Sequence, residues 1–103
     1  MEEKKVSVGG IKTNFKVAGE GPAVLILHGW GSSSDSWVTI QEKLAENNFY
    51  VICPDLPGFG KTKTPGSPWG VSDYVSWVLK FAENQELERF FLLSHSFGGR
   101  VAI

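Results

Sequence analysis

The segment Ser94-His95-Ser96-Phe97-Gly98-Gly99 concentrates more chemistry than any other part of this sequence. It follows the apolar run Phe90-Phe91-Leu92-Leu93 and leads into Arg100-Val101-Ala102-Ile103. A strand, a tight turn of small residues around a central Ser, and a helix start together describe a nucleophile elbow. Strained backbone, usually at positive φ, pushes the hydroxyl of such a turn out of the sheet. Strand and helix pass close together there, so the residues two before and two after the Ser must be small. Ser94 and Gly98 fill those places, Ser94 standing where Gly is usual. Ser96 is thus the candidate nucleophile, with His95 and Gly99 completing the turn. The unpaired N–H groups of a helix beginning at Gly98 would favour a developing anion. Standing alone, the same residues would also read as an ordinary polar turn. The strand before them and the helix after them favour the elbow.

A second segment, His28-Gly29-Trp30-Gly31, directly follows the apolar run Ala23-Val24-Leu25-Ile26-Leu27. In acyl transfer, a loop in this place offers a backbone N–H to the carbonyl oxygen as it becomes an oxyanion. The expected oxyanion donors are the N–H groups of Trp30 and Phe97. Gly29 and Gly31 let the loop bend tightly, and His28 is read as shaping the loop, not as a base. A third segment, Asp55-Leu56-Pro57-Gly58-Phe59-Gly60, ends the next apolar run and reads as scaffolding, with Asp55 capping the local turn.

The same glycines invite two phosphate-binding readings. Gly60-Lys61-Thr62 imitates the end of a P-loop, but Asp55 occupies the place of the required first Gly, and Thr64-Pro65-Gly66 follows where a helix should start. Gly29-Trp30-Gly31-Ser32-Ser33-Ser34 comes nearer to a dinucleotide fingerprint. There Ser34 replaces the third Gly, and Asp55 lies slightly beyond the place of the ribose-binding acid.

An activated Ser needs a base and an acid to orient it. No residue after Ser96 is acidic or His. His95 adjoins the nucleophile and starts from the wrong direction, while Asp35, Asp55 and Asp73 precede Ser96 with no His to orient. The sequence therefore carries one triad member and both expected oxyanion donors, without acid or base.

These segments need elements to position them. Val6 and Val8, then Ile11, Thr13, Phe15 and Val17, alternate with polar residues around Gly9-Gly10, predicting a β-hairpin with a tight primed turn. Gly19-Glu20-Gly21-Pro22 is a second turn. Residues 23–27 and 49–53 are continuous apolar runs, as in strands buried on both faces. Capping residues over Ser32–Asp35 precede a helix with Trp37, Ile40, Leu44 and Ala45 at helical spacing, ending near Asn47-Asn48. The Pro- and Gly-rich stretch 55–69 is loop. A second helix is expected to be capped by Ser72, with Val75, Val78, Leu79 and Ala82 inward. Strands alternating with helices predict a parallel sheet with helices on both faces.

Composition sets the outer limits. The chain has 103 residues, 42% of them apolar and 13% aromatic, which fits one small globular domain with a core. Net charge is −1 with both signs interspersed, so there is no electrostatic footprint for nucleic acid or a membrane surface. Cys53 is the sole cysteine and is expected to be a buried, inert thiol. The charged start Met1-Glu2-Glu3-Lys4-Lys5 lacks the pattern of a secretory signal, and no run reaches membrane-spanning length. A cytoplasmic protein without cofactor or metal is the expectation.

Together, the His28 loop, the Asp55 loop and the Ser96 turn resemble the N-terminal part of the α/β-hydrolase superfamily, over essentially the whole chain. The resemblance implies strand order 1-2-4-3-5. It also implies that residues 1–103 form a partial, incomplete α/β-hydrolase domain: a β-hairpin followed by parallel βαβαβ. Within the superfamily the sequence looks most like small-ester carboxylesterases, including the pimeloyl-carrier-protein methyl esterase type with its His-Gly-Trp-Gly loop. Ser at position 96 argues against haloalkane dehalogenases and epoxide hydrolases, which resemble this pattern but carry Asp there. The implied function is a serine hydrolase acting on a small ester-like molecule through an acyl-enzyme, the 103-residue chain alone being inactive. The last strand should be an exposed edge inviting self-association or the missing C-terminal half. The alternatives are a silent interaction module and a nucleotide-binding domain.

Overall fold

The computed structural model describes residues 1–29 and 32–94. Strands β1 (Glu2–Val8) and β2 (Ile11–Ala18) are followed by β3 (Ala23–Leu27) and a 3-10 turn over Ser34–Trp37. Helix α1 (Val38–Glu46), β4 (Tyr50–Pro54), α2 (Val71–Asn84) and β5 (Phe90–Ser94) complete the order. The β1–β2 hairpin turns through Gly9 at φ +56° and Gly10 at φ +82°, with Val8 opposite Ile11. Positive φ at both central residues is the primed turn that the Gly-Gly pair predicts.

The sheet order is β1-β2-β4-β3-β5, as the resemblance implies. β3 pairs in parallel with β4 on one side and β5 on the other, while β2 is antiparallel to both β1 and β4. The chain thus winds from β3 to β4, then crosses back over β3 to β5. Ligand sites in such sheets lie at the carboxyl ends of the strands around that reversal.

Alternate residues of each parallel strand feed two cores. On one face Leu25, Leu27 and Ile52 pack with Tyr74, Trp77, Val78 and Phe81 of α2. On the other, Val24, Ile26, Val51 and Cys53 pack beneath Trp37 and Leu44. Helices therefore cover both faces. The thiol of Cys53 is fully buried, and burial pushes its pKa up to about 12, as expected of an inert packing residue.

Three local expectations are corrected. The inward face of α2 is Tyr74, Trp77, Val78, Phe81 and Ala82, whereas Leu79 is 64% exposed. The aromatic side chains take the core side because they bury the most area. Its N-cap is Gly70, not Ser72, and the Gly70 N–H donates to Asp73 Oδ2 at 2.8 Å. In α1, the apolar stripe is interrupted. Ile40 is exposed, and Gln41 is fully buried, donating through Nε2 to the carbonyls of Lys16 and Val51 at 2.8 and 2.9 Å. A polar side chain is stable there because two strand carbonyls receive its donors.

Candidate functional site

β3, β4 and β5 run parallel, so their carboxyl ends share one end of the sheet, with Ser94 in register beside Leu27. The residues after β3 are His28 and Gly29, both buried. Ser94 is half-buried. Trp30, Gly31, His95, Ser96, Phe97, Gly98 and Gly99, and with them the expected third helix, lie outside the described residues.

His28 has a defined protonation state. The Leu56 N–H donates to its Nε2 at 2.9 Å, so that nitrogen carries the lone pair. The ring proton is then on Nδ1, which donates to the Gly29 carbonyl at 2.8 Å. Burial lowers the His28 pKa from its ordinary 6.5, against the opposing pull of the Gly29 carbonyl and Asp55, and so favours this neutral form. Phe59 packs edge-on at 5.6 Å between ring centres. A base needs an acceptor nitrogen facing substrate. That of His28 faces a backbone amide, in keeping with a residue that shapes the loop.

Asp55 is 2% exposed. Its Oδ1 accepts from the Ser34 N–H at 2.7 Å, and its Oδ2 accepts from Asn14 Nδ2 at 3.0 Å and the Lys61 N–H at 3.1 Å. Burial alone would raise its pKa, but these donors outweigh it and hold the carboxyl below its ordinary value. The loop around it follows a tight path, with Gly60 at φ +52° and Tyr74 Oη donating to the Pro57 carbonyl at 2.9 Å. Asp55 is thus a buried anchor, as its reading as scaffold predicts, with no room for a ribose. Lys61 Nζ lies 3.0 Å from Glu3, and Thr62 Oγ1 accepts from the Asn14 N–H at 2.9 Å, so neither serves a P-loop.

Residues of β2 that the sequence analysis did not single out complete this network. Asn14 and Lys16 look like the polar face of a hairpin strand, yet both are buried. Lys16 Nζ donates to Ser34 Oγ at 2.6 Å and to Asp35 Oδ1 at 2.7 Å, and lies 3.2 Å from Glu3 Oε2. Burial would lower the Lys16 pKa, but the bonds to Asp35 and Glu3 outweigh it and raise it. Bonds from Lys61, then Asn14 and Lys16, bring Glu3 down to about 2. The signal available in the sequence was two polar residues in a strand that borders β4 as well as β1. Among the described residues no group of His, Cys, Asp and Glu could hold a metal ion, and no helix is long and apolar enough to cross a membrane.

Among the described residues β5 is the last strand on its side of the sheet, with Phe91 64%, Leu92 41% and Leu93 36% exposed. Successive strand residues face opposite sides, so apolar surface is open on both faces.

Comparison with known proteins fits this geometry. The family model for the alpha/beta hydrolase fold matches residues 22–103. A fluoroacetate dehalogenase of a Burkholderia species is 35% identical over 98% of this chain and 34% of its own length. A 2-hydroxy-6-oxo-2,4-heptadienoate hydrolase of Pseudomonas putida is 35% identical over 97% of this chain and 37% of its own. The crystal structure of an epoxide hydrolase from Vigna radiata superimposes with a TM-score of 0.93 at 31% identity, over 98% of this chain and 33% of that one. The chain spans about a third of the length of these relatives.

Proposed function

Because this chain belongs to the α/β-hydrolase fold family, we propose that it is the nucleophile-bearing part of a serine hydrolase. Ser96 attacks the carbonyl carbon of a small ester-like substrate, and the alcohol leaves as an acyl-enzyme forms. The N–H groups of Trp30 and Phe97 receive the oxyanion, with His28, Gly29, Gly31, Ser94, His95, Gly98 and Gly99 shaping the two turns that carry them. The observation that supports this reading is the register that sets Ser94 beside Leu27, since the two turns follow those strands directly.

Ser at position 96 supports acyl chemistry over the reactions named for the dehalogenase and epoxide hydrolase relatives. The base and its acid come from outside these 103 residues, because His28 holds Leu56 and Asp55 holds Ser34. The 103-residue chain, a partial domain, does not turn over alone. Reaction with a fluorophosphonate, in the presence of the further protein that supplies the base and followed by intact mass, tests the assignment. One adduct per chain is expected, absent in Ser96→Ala; equal adducts in both would refute it.

A second reading rests on β5. Its exposed Phe91, Leu92 and Leu93 support an interaction role in which a second copy, or further protein, covers the strand.

A further inference from the structure

Between the β1–β2 turn and helix α2, at the other side of the sheet from β5, lies a cleft of about 150 Å³. Helix α2 contributes Asp73, Trp77 and Lys80 to it. Steps of four and three positions return to the same side of a helix, so the three side chains share one face. Ile11 and Trp69 supply apolar wall. Trp69 meets Tyr74 edge-on at 5.0 Å between ring centres, and Trp77 stacks on Phe81 at 5.3 Å. Both indoles are therefore held in place by packing.

The two ends of the cleft carry opposite charge. Asp73 stands in the first turn of α2, where its Oδ2 accepts from the Gly70 N–H at 2.8 Å. Its Oδ1 has no partner among the described residues. Lys80 Nζ lies over Gly9, where a Cβ would stand 3.8 Å from it and glycine leaves the space clear. Lys80 forms no ion pair among the described residues. Seven helical positions separate Asp73 from Lys80, about 10 Å along the axis, whereas helical side chains pair across three or four. The wall also holds a donor without an acceptor. Trp77 Nε1 is buried and has no hydrogen-bond partner among the described residues. Native folds leave few such groups, and each calls for a partner.

A carboxylate alone would be drawn to Lys80 and repelled by Asp73, and an ammonium alone the reverse. A molecule that carries both, on an apolar chain long enough to separate them, meets each charge with its opposite. Its methylenes then lie along the indoles and Ile11 and leave water, and indole faces attract an ammonium as well. A cleft of this size takes about six to nine non-hydrogen atoms. We infer that it binds a small ω-amino acid, with the ammonium toward Asp73 and the carboxylate toward Lys80. The inference draws on no part of the Ser96 reading, so either can fail alone.

The test titrates the chain at neutral pH with 6-aminohexanoate, and separately with hexanoate and hexylamine, which each lack one charge. Tryptophan emission and the indole N–H resonances report binding. The resonances of Trp69 and Trp77 should move together and saturate, with a dissociation constant of about 1 mM for so small a ligand, while that of Trp37 stays in place. Hexanoate and hexylamine should bind about tenfold more weakly, each having lost one charge-assisted contact.

Two exposed positions supply the variants. Lys80→Gln removes one charge. Asp73→Asn removes the other and keeps an oxygen for the Gly70 N–H. In each variant, with helix content unchanged by circular dichroism, 6-aminohexanoate should bind about tenfold more weakly, no tighter than the one-charge probes bind the parent. Three results would each overturn the inference. One is no saturable movement of Trp69 and Trp77 up to about 50 mM. Another is equal binding of hexanoate or hexylamine by the parent chain. The third is parent-like affinity for 6-aminohexanoate in both variants.

Discussion

Gly60 is where the Asp55 anchor can be probed from the outside. Its φ is +52°, close to the +56° of Gly9 in the hairpin turn. A Cβ on Gly9 would meet nothing nearer than the flexible Lys80 side chain at 3.7 Å. A Cβ on Gly60 would stand 2.5 Å from Asp55 Cγ and 2.6 and 2.7 Å from its two carboxylate oxygens. Both Gly→Ala changes carry the left-handed backbone cost of about 1–2 kcal/mol. Gly60→Ala must also push the carboxylate off its donors, and one charge-assisted hydrogen bond is worth about 1.5–3 kcal/mol.

The expected losses are therefore about 1–2 kcal/mol for Gly9→Ala and about 3–5 kcal/mol for Gly60→Ala. For a domain of this size the difference corresponds to roughly 10–20 °C in Tm. Urea titration followed by the fluorescence of the four tryptophans reads both. On an Asp55→Ala background there is no carboxylate to displace, so Gly60→Ala should cost only what Gly9→Ala costs. That non-additivity is the signature. Equal losses for the two single variants, or strict additivity with Asp55→Ala, would refute the anchor.

Other predictions follow from the same structure. Burial lowers the folded pKa of His28 below 6.5, so the unfolded chain binds the extra proton. Stability should then fall as pH drops below about 6.5, and His28→Gln should flatten that part of a urea-midpoint profile. Glu3, brought from 4.5 down to about 2, and Asp55, held below 3.8, act only at lower pH, where their protonation removes further stability. The chain should cleave p-nitrophenyl acetate no faster than its Ser96→Ala variant; a clear excess would show a base within these residues. Sedimentation should reveal concentration-dependent self-association that Phe91→Lys with Leu93→Lys weakens at least tenfold, since lysine protects strand edges.

The sheet was legible because its signals are local. Alternation over 11–17, the Gly9-Gly10 pair and the apolar runs at 23–27 and 49–53 each mark a strand or turn from its own residues. The inner face of α2 was misassigned by one residue, and each residue turns a helix by 100°. Val75 and Leu79 look as apolar as Val78, and only the sheet beneath decides that Tyr74, Trp77 and Phe81 go inward. The anchoring network was not legible. Asn14 meets Asp55 across 41 positions, and Lys16 meets Ser34 across 18. Nothing in a strand's alternation tells a buried polar face from a wet one. Gln41 illustrates the same limit, because its carbonyl partners belong to two different strands.

His28 is a fixed acceptor within the loop, so the proposed nucleophile Ser96 requires a base from elsewhere. Nitrogen-15 NMR of the His28 ring tests this most directly. An unprotonated Nε2 and a protonated Nδ1 are expected at neutral pH, with a titration midpoint below 6.5. A ring protonated on Nε2, or one that titrates at or above 6.5, would contradict it.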